Sequence, residues 1–175
     1  FADVRGYTAL AAEHPPETTL DLLNRYLTVV SDAVEVHGGT VADFLGDGVI
    51  ACFGAPVVRA DDPERAVRSA LAMQDEVMRL QIPTLPGVRL HLGIGITTGE
   101  VIAGNVGSER RMHYTVVGDP VNVASRLQTA AGPAEVTATV ACAVKLSDLV
   151  DLALPGQTTI TASASAPVDV YRGGS

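Results

Sequence analysis

The sequence predicts an α+β sandwich in the order β-α-β-β-α-β with further strands toward the C-terminal end, its helices on one face of a mainly antiparallel sheet. Three observations predict it. Two long stretches carry apolar residues at helical spacing, two short β-rich runs are separated by Gly46-Asp47-Gly48, and one run alternates residue by residue between apolar and polar or small positions. With 175 residues, the chain has the size of one compact domain with its own core, since about 150 residues per domain is the soft prior.

Phe1 to Val4 is apolar and starts without a turn signal, so it reads as the end of a strand that begins upstream. From Glu17 to Val36, Leu20, Leu23, Leu27, Val30 and Val34 recur at three and four, the spacing of one helical face, and Gly38-Gly39 ends the helix. Thr40 to Leu45 and Val49 to Phe53 flank Asp47-Gly48, the strongest short-range hairpin signal. Asp62-Pro63 offers an N-cap followed by proline in the first turn. Ala66, Val67, Ala70, Leu71, Gln74, Val77 and Met78 then trace a second amphipathic helix, which Pro83 and Pro86 break.

Val88, Leu90, Leu92, Ile94 and Ile96 alternate with Arg89, His91, Gly93, Gly95 and Thr97, the pattern of a strand with one buried face. Gly99 to Arg111 is glycine-rich and reads as a loop or short hairpin, followed by a strand from Tyr114 to Val117. Asp119-Pro120 repeats the N-cap and proline pattern before a third helix, Val121 to Ala131, ended by Gly132. The tail from Pro133 is expected to hold a short helix and two or three strands, closing near Val168 to Tyr171.

Composition excludes several functions. The net charge is −8, so there is no broad basic face to drive nucleic-acid or anionic-membrane binding by counterion release, and neither is an expected partner. Hydrophobic residues make up 47% and charged residues 18%, which suits a filled core and not a disordered chain. No apolar run approaches the roughly 18 residues of a membrane span. Cys52 and Cys142 sit in apolar contexts, and His14, His37, His91 and His113 have no ligand spacing, so neither a disulfide framework nor a zinc site is implied. With no leader sequence visible, a cytoplasmic setting is expected.

Asp3 ends the first strand and Asp47 sits at the hairpin tip. If those elements are sheet neighbours, the two carboxylates converge as hard oxygen ligands for Mg²⁺ or Mn²⁺, two ions bridged by substrate phosphates being the natural arrangement. The plain alternative is a turn aspartate and a strand-end aspartate. Gly6-Tyr7-Thr8 leads from that strand toward a helix, where backbone N–H groups can receive phosphate oxygens; an ordinary strand-to-helix turn looks the same. Asn122 and Arg126 are four apart and share a helix face, an amide and a guanidinium suited to a sugar-phosphate, or simply a solvated face. Arg110-Arg111 can clamp a polyphosphate or be a surface pair.

Taken together and in order, Phe1-Ala-Asp-Val-Arg-Gly-Tyr-Thr8, Phe44-Leu-Gly-Asp-Gly48 and Tyr114-Thr-Val-Val-Gly-Asp-Pro-Val-Asn-Val-Ala-Ser-Arg-Leu127 resemble the catalytic domain of class III adenylate and guanylate cyclases. The resemblance extends to Pro167-Val-Asp-Val-Tyr171, so residues 1–175 are expected to form one cyclase catalytic domain. It implies the family's ferredoxin-like βαββαβ sandwich with extra C-terminal strands. It also implies that Asp3 and Asp47 hold two divalent ions, with the Val4 backbone carbonyl as a further ligand. Asn122 and Arg126 would orient the ribose and stabilise the transition state. In the family this last pair comes from the opposite subunit, so a homodimer with active sites at its interface is expected, acting on a nucleoside triphosphate.

The chain departs from the family pattern in two places. Asp43 stands where adenylate cyclases carry a lysine that reads adenine N1, and Thr115 where they carry an aspartate that accepts from the adenine amine. A carboxylate accepts from guanine N1–H and its exocyclic amine, which favours GTP; the abundance of adenylate cyclases among similar bacterial sequences favours ATP. An Asp43 too short to reach the base would leave selectivity loose. A phosphate-binding lysine near the C-terminus aligns with Ala162, which leaves Arg110 or Arg111 to hold the triphosphate. ATP to cAMP is the first expectation and GTP to cGMP the second. A catalytically weak module that dimerises or senses nucleotide is the alternative from another class. The signature of diguanylate cyclases is absent, since Gly38-Gly39 is followed by Thr40.

Overall fold

The computed structural model describes residues 1–108, 110–132, 135–142 and 160–167. Its order is β1 (Ala2–Val4), α1 (Tyr7–Glu13), α2 (Pro16–Val36), β2 (Thr40–Leu45), β3 (Gly48–Cys52), α3 (Asp62–Arg79), β4 (Leu92–Thr97), β5 (Ile102–Ser108), β6 (Arg111–Val117), α4 (Asp119–Ala130), β7 (Glu135–Cys142) and β8 (Ile160–Pro167). Six strands form one sheet in the order β2-β3-β1-β4-β7-β8, and β5 and β6 form a separate antiparallel ribbon. Pairing is antiparallel except between β4 and β7. The sequence therefore predicts the α+β order correctly, with β1 placed centrally between the hairpin and β4.

The helical stripe of α2 is rotated slightly from its expected position. Leu22, Tyr26, Val30, Ala33 and Val34 are buried, while Leu20 stays exposed. Burial is decided by what α2 meets, here α3 and the sheet, and Ser69 of α3 donates to the Ala33 carbonyl at 3.1 Å. On α3, Ala70, Met73, Gln74 and Val77 face inward, and Gln74 Nε2 donates to the Leu92 carbonyl at 2.9 Å, tying the helix to β4. These residues join Ala2, Val4, Val49, Leu92 and Ile94 in the main core.

The helices do not all lie on one face, as the sequence suggests. Leu92 and Ile94 point toward α2 and α3, so Gly93 and Gly95 between them point the other way. A Cβ on Gly95 would collide with the Ala124 carbonyl oxygen and the Gln128 nitrogen of α4. The two glycines that look like the polar half of an alternating strand are the places where α4 and the Arg5 side chain lie against the opposite face.

Three further findings are local. α1, a helix of seven residues, begins after Gly6, whose φ of 75° is the left-handed conformation glycine tolerates. Of the loop and the short hairpin expected from Gly99, the hairpin is what forms, β5 pairing with β6 from Ile102↔Val117 to Ser108↔Arg111. Val88 to His91 is not strand: the Val88 N–H donates to the Leu85 carbonyl in a turn, although Leu90 is still buried. The tail is present as β7 and β8, while the expected short helix and the closing run 168–171 lie outside the described residues. No described helix is long and apolar enough to cross a membrane.

Candidate active site

Asp3 is held on β1 opposite Gly93 of β4, and Ala2 pairs with Val49 of β3, which brings the end of β1 beside the hairpin. The hairpin turns at Gly46-Asp47, with Leu45 paired to Gly48 and Gly46 at φ 67°. The topology thus brings Asp3 and Asp47 into side-chain hydrogen-bonding contact. Burial is the main reason that the Asp3 carboxyl is pushed up to about 7; the hydrogen bond and negative charge of Asp47 add to it, against the Val4 backbone N–H and the Arg5 charge. Tyr7 also feels Asp47: burial, then that charge, raises its hydroxyl above its ordinary value.

Asp3 Oδ1 is buried and has no hydrogen-bond partner among the described residues. A partnerless carboxylate oxygen next to a second carboxylate is costly unless a cation satisfies both. The donor set therefore fits a hard divalent ion. Among the described residues no group of three or more His, Cys, Asp or Glu forms, so other ligands would be backbone, water or substrate oxygens. Val4 buries its side chain in the core, which leaves only its backbone for such a role.

Gly6 caps α1, and Tyr7 and Thr8 are its first residues, so their N–H groups have no partner within the helix. Asn122 and Arg126 are exposed and one turn apart on α4. They are not joined to Asp3 or Asp47 by any hydrogen bond or ion pair among the described residues. Instead α4 packs on β4 and β7. Two half-sites result, a carboxylate pair where the end of β1 meets the hairpin turn and an amide–guanidinium pair on the outer surface of α4.

Asp43 lies on β2 just after an irregularity in the ladder between Val41 and Asp43. Its Oδ1 accepts from the Phe44 N–H at 2.9 Å, and its Oδ2 lies 3.3 Å from His113 Nδ1 on β6. Thr115 is buried two residues further along β6, hence on the same side of that strand as His113. Arg111 lines a shallow cavity with Asp43, Phe44, Leu45, Gly107 and His113, and Arg110 is exposed at the start of β6. His113 is a neighbour the sequence did not reveal. Its only signal was a place two residues before Thr115, because the contact with β2 is tertiary.

Arg5 has a different task. Its guanidinium crosses Gly93 and donates to the carbonyls of Gln128 and Ala131 at the C-terminal end of α4. Unsatisfied carbonyls at a helix end favour a cation there. Cys52 is free and half-buried, and burial followed by the Asp62 charge pushes its thiol up, the signature of an unreactive core thiol.

A ferredoxin-like sheet with a carboxylate pair at the end of its first strand sets two hard oxygen ligands side by side. The chain belongs to the adenylate and guanylate cyclase catalytic domain family, whose model matches residues 1–168. It is 39% identical over 127 residues to the uncharacterized protein Rv1318c of Mycobacterium tuberculosis, covering 73% of this chain and 22% of that protein. It thus spans about a fifth of the length of the curated relatives it matches. Among solved structures it resembles the adenylyl cyclase CyaB from P. aeruginosa, at 36% identity and a TM-score of 0.70 over 79% of this chain and 73% of that one. It also resembles the guanylyl cyclase Cya2, at 32% identity and a TM-score of 0.74 over 98% and 92%.

Proposed function

We propose that this domain cyclises a purine nucleoside triphosphate with release of pyrophosphate, at sites shared between the two subunits of a homodimer. The observation that carries the reading is the Asp3–Asp47 contact, with one carboxyl pushed up to about 7 and a buried oxygen left without a partner. Such a pair is strained alone and relieved by divalent cations. Asp3 and Asp47 would hold two ions, Mg²⁺ or Mn²⁺, with the Val4 carbonyl as a further ligand. Ions bound there would lower the pKa of the ribose 3′-hydroxyl and offset the charge of the triphosphate.

The remaining work falls to the chain's own groups. Asn122 would hydrogen-bond the ribose and fix the 3′-oxygen for in-line attack on the α-phosphorus. Arg126, exposed and without a described ion pair, would offset the negative charge that builds on the α-phosphoryl group. The first-turn N–H groups of Gly6, Tyr7 and Thr8, with Arg110 and Arg111, are the candidates for holding the β- and γ-phosphates. Because α4 packs on β4 and β7 and not on the hairpin, a second copy is the natural source of Asn122 and Arg126 for each Asp3–Asp47 pair. The whole assembly is proposed to act in the cytoplasm as part of signalling through a cyclic nucleotide.

ATP to cAMP is the first reading of the substrate, supported by the 36% identity to an adenylyl cyclase. GTP to cGMP is the second, supported by Asp43 and its acceptor oxygens at the position expected to read the base. The test is cyclic nucleotide production by purified protein with Mn²⁺, comparing ATP with GTP, with Asp47→Ala as control. Turnover that disappears in Asp47→Ala is the expected result. No turnover with either nucleotide from a dimeric sample would favour the dimerisation or nucleotide-sensing module instead.

A further inference from the structure

We propose that His113 is a base-selecting residue which, together with Asp43, forms a donor–acceptor–acceptor edge complementary to guanine. The inference rests on the cyclase reading above and reverses the order of its two substrates, putting GTP before ATP. The Asp43 carboxylate lies between two strands. Its Oδ1 accepts one hydrogen bond at 2.9 Å from the Phe44 N–H, and each carboxylate oxygen has two acceptor sites, so Oδ1 keeps one free. His113 Nδ1 stands 3.3 Å from Oδ2, longer than the roughly 2.7–2.9 Å of a charge-assisted bond. In the tautomer that carries hydrogen on Nδ1, the imidazole offers a donor beside the carboxylate that a third partner can use.

Read along the edge, the groups are a donor on His113, an acceptor at Oδ2 and an acceptor at Oδ1. Guanine presents the complement in the same order: O6 accepts, N1–H donates, and the exocyclic amine donates. Adenine offers only N1 as acceptor beside one amine, and its C2–H leaves one carboxylate oxygen unmatched. A site built to pair with substrate donors discriminates strongly against an analogue that lacks them, because its own polar groups are then left unpaired.

The groups are also reachable. The Asp43 side chain is 21% exposed and that of His113 55%, and both line the shallow cavity with Phe44 and Leu45. Those two apolar side chains are themselves exposed, as a flat base requires of a surface to lie on. Thr115, on the same side of β6, is buried, so His113 is the more accessible donor of the two.

The experiment measures kcat/KM for GTP and for ATP in the wild-type protein, His113→Ala, His113→Gln and Asp47→Ala. Wild type is expected to prefer GTP, and His113→Ala to lower the GTP-to-ATP ratio at least about tenfold, mainly through the KM for GTP. His113→Gln keeps an N–H donor and is expected to recover most of the ratio. Wild-type preference for ATP, or equal losses with both nucleotides in His113→Ala, overturns the proposal while leaving the cyclase reading intact. If turnover is absent or does not depend on Asp47, the cyclase reading fails. Equilibrium binding of GTP and ATP in the presence of Ca²⁺ then decides the base reading by the same ratios in the same variants.

Discussion

Replacing Asp47 by Asn is expected to make the metal-free protein more stable while abolishing its activity. Asn is as well suited as Asp to a turn between Gly46 and Gly48, so the hairpin is preserved. The gain comes from Asp3. Its carboxyl is raised from 3.8 to about 7, so between these values the folded state binds more protons than the unfolded one, and stability falls as pH rises through that window. Above both values the folded state carries the whole cost of that shift, reduced by solvent screening because Asp3 is only partly buried. Burial, the largest cause, survives the substitution, whereas the share due to Asp47 is removed. We take that share as about 1–2 kcal/mol, which for a chain of this size raises Tm by roughly 2–8 °C. Thermal unfolding in EDTA at pH 8 measures it directly. At pH 5 Asp3 is already protonated in the folded state, so the difference is expected to shrink toward zero. Mn²⁺ at pH 8 is expected to raise the Tm of wild type far more than that of the variant. A variant less stable than wild type in EDTA at pH 8, or a gain that persists unchanged at pH 5, would refute the reasoning.

Other outcomes follow from particular contacts. Mixing inactive Asp47→Ala and Arg126→Ala subunits in equal amounts is expected to restore about a quarter of wild-type activity, since half the dimers are mixed and each then holds one intact site; no recovery would argue against shared sites. Gly95→Ala places a methyl against the backbone of α4 and is expected to cost about 1–3 kcal/mol in urea unfolding, with a larger loss of activity than of stability as Arg126 moves with its helix. Tyr26 is fully buried and its hydroxyl has no partner among the described residues, so Tyr26→Phe is expected to be neutral or to stabilise by up to about 1 kcal/mol, read from the urea midpoint.

What was legible in the sequence was what repeats or punctuates. α2 and α3 announce themselves by period, and the hairpin by Gly46-Asp47-Gly48, so the convergence of Asp3 and Asp47 could be expected from topology alone. α1 escaped notice because seven residues with no buried side chain carry no stripe. β5 was hidden by Gly104, Asn105 and Gly107, poor strand formers that are tolerated because β6 supplies a partner along the whole run. Val88 to His91 misled in the opposite direction, since alternation was present without a neighbouring strand to pair with. The side chains that shape the site from outside their own element, Arg5 over Gly93 and His113 beside Asp43, leave no local trace because their partners are distant in the chain.

The Arg5 guanidinium at the end of α4 has a mechanical consequence. The strand that carries Asp3 and the helix that carries Arg126 are clamped into one rigid body by two donated hydrogen bonds, although the two residues belong to different half-sites. In the proposed dimer those half-sites serve different centres. Arg5 would then fix the spacing between the carboxylates of one centre and the guanidinium offered to the other.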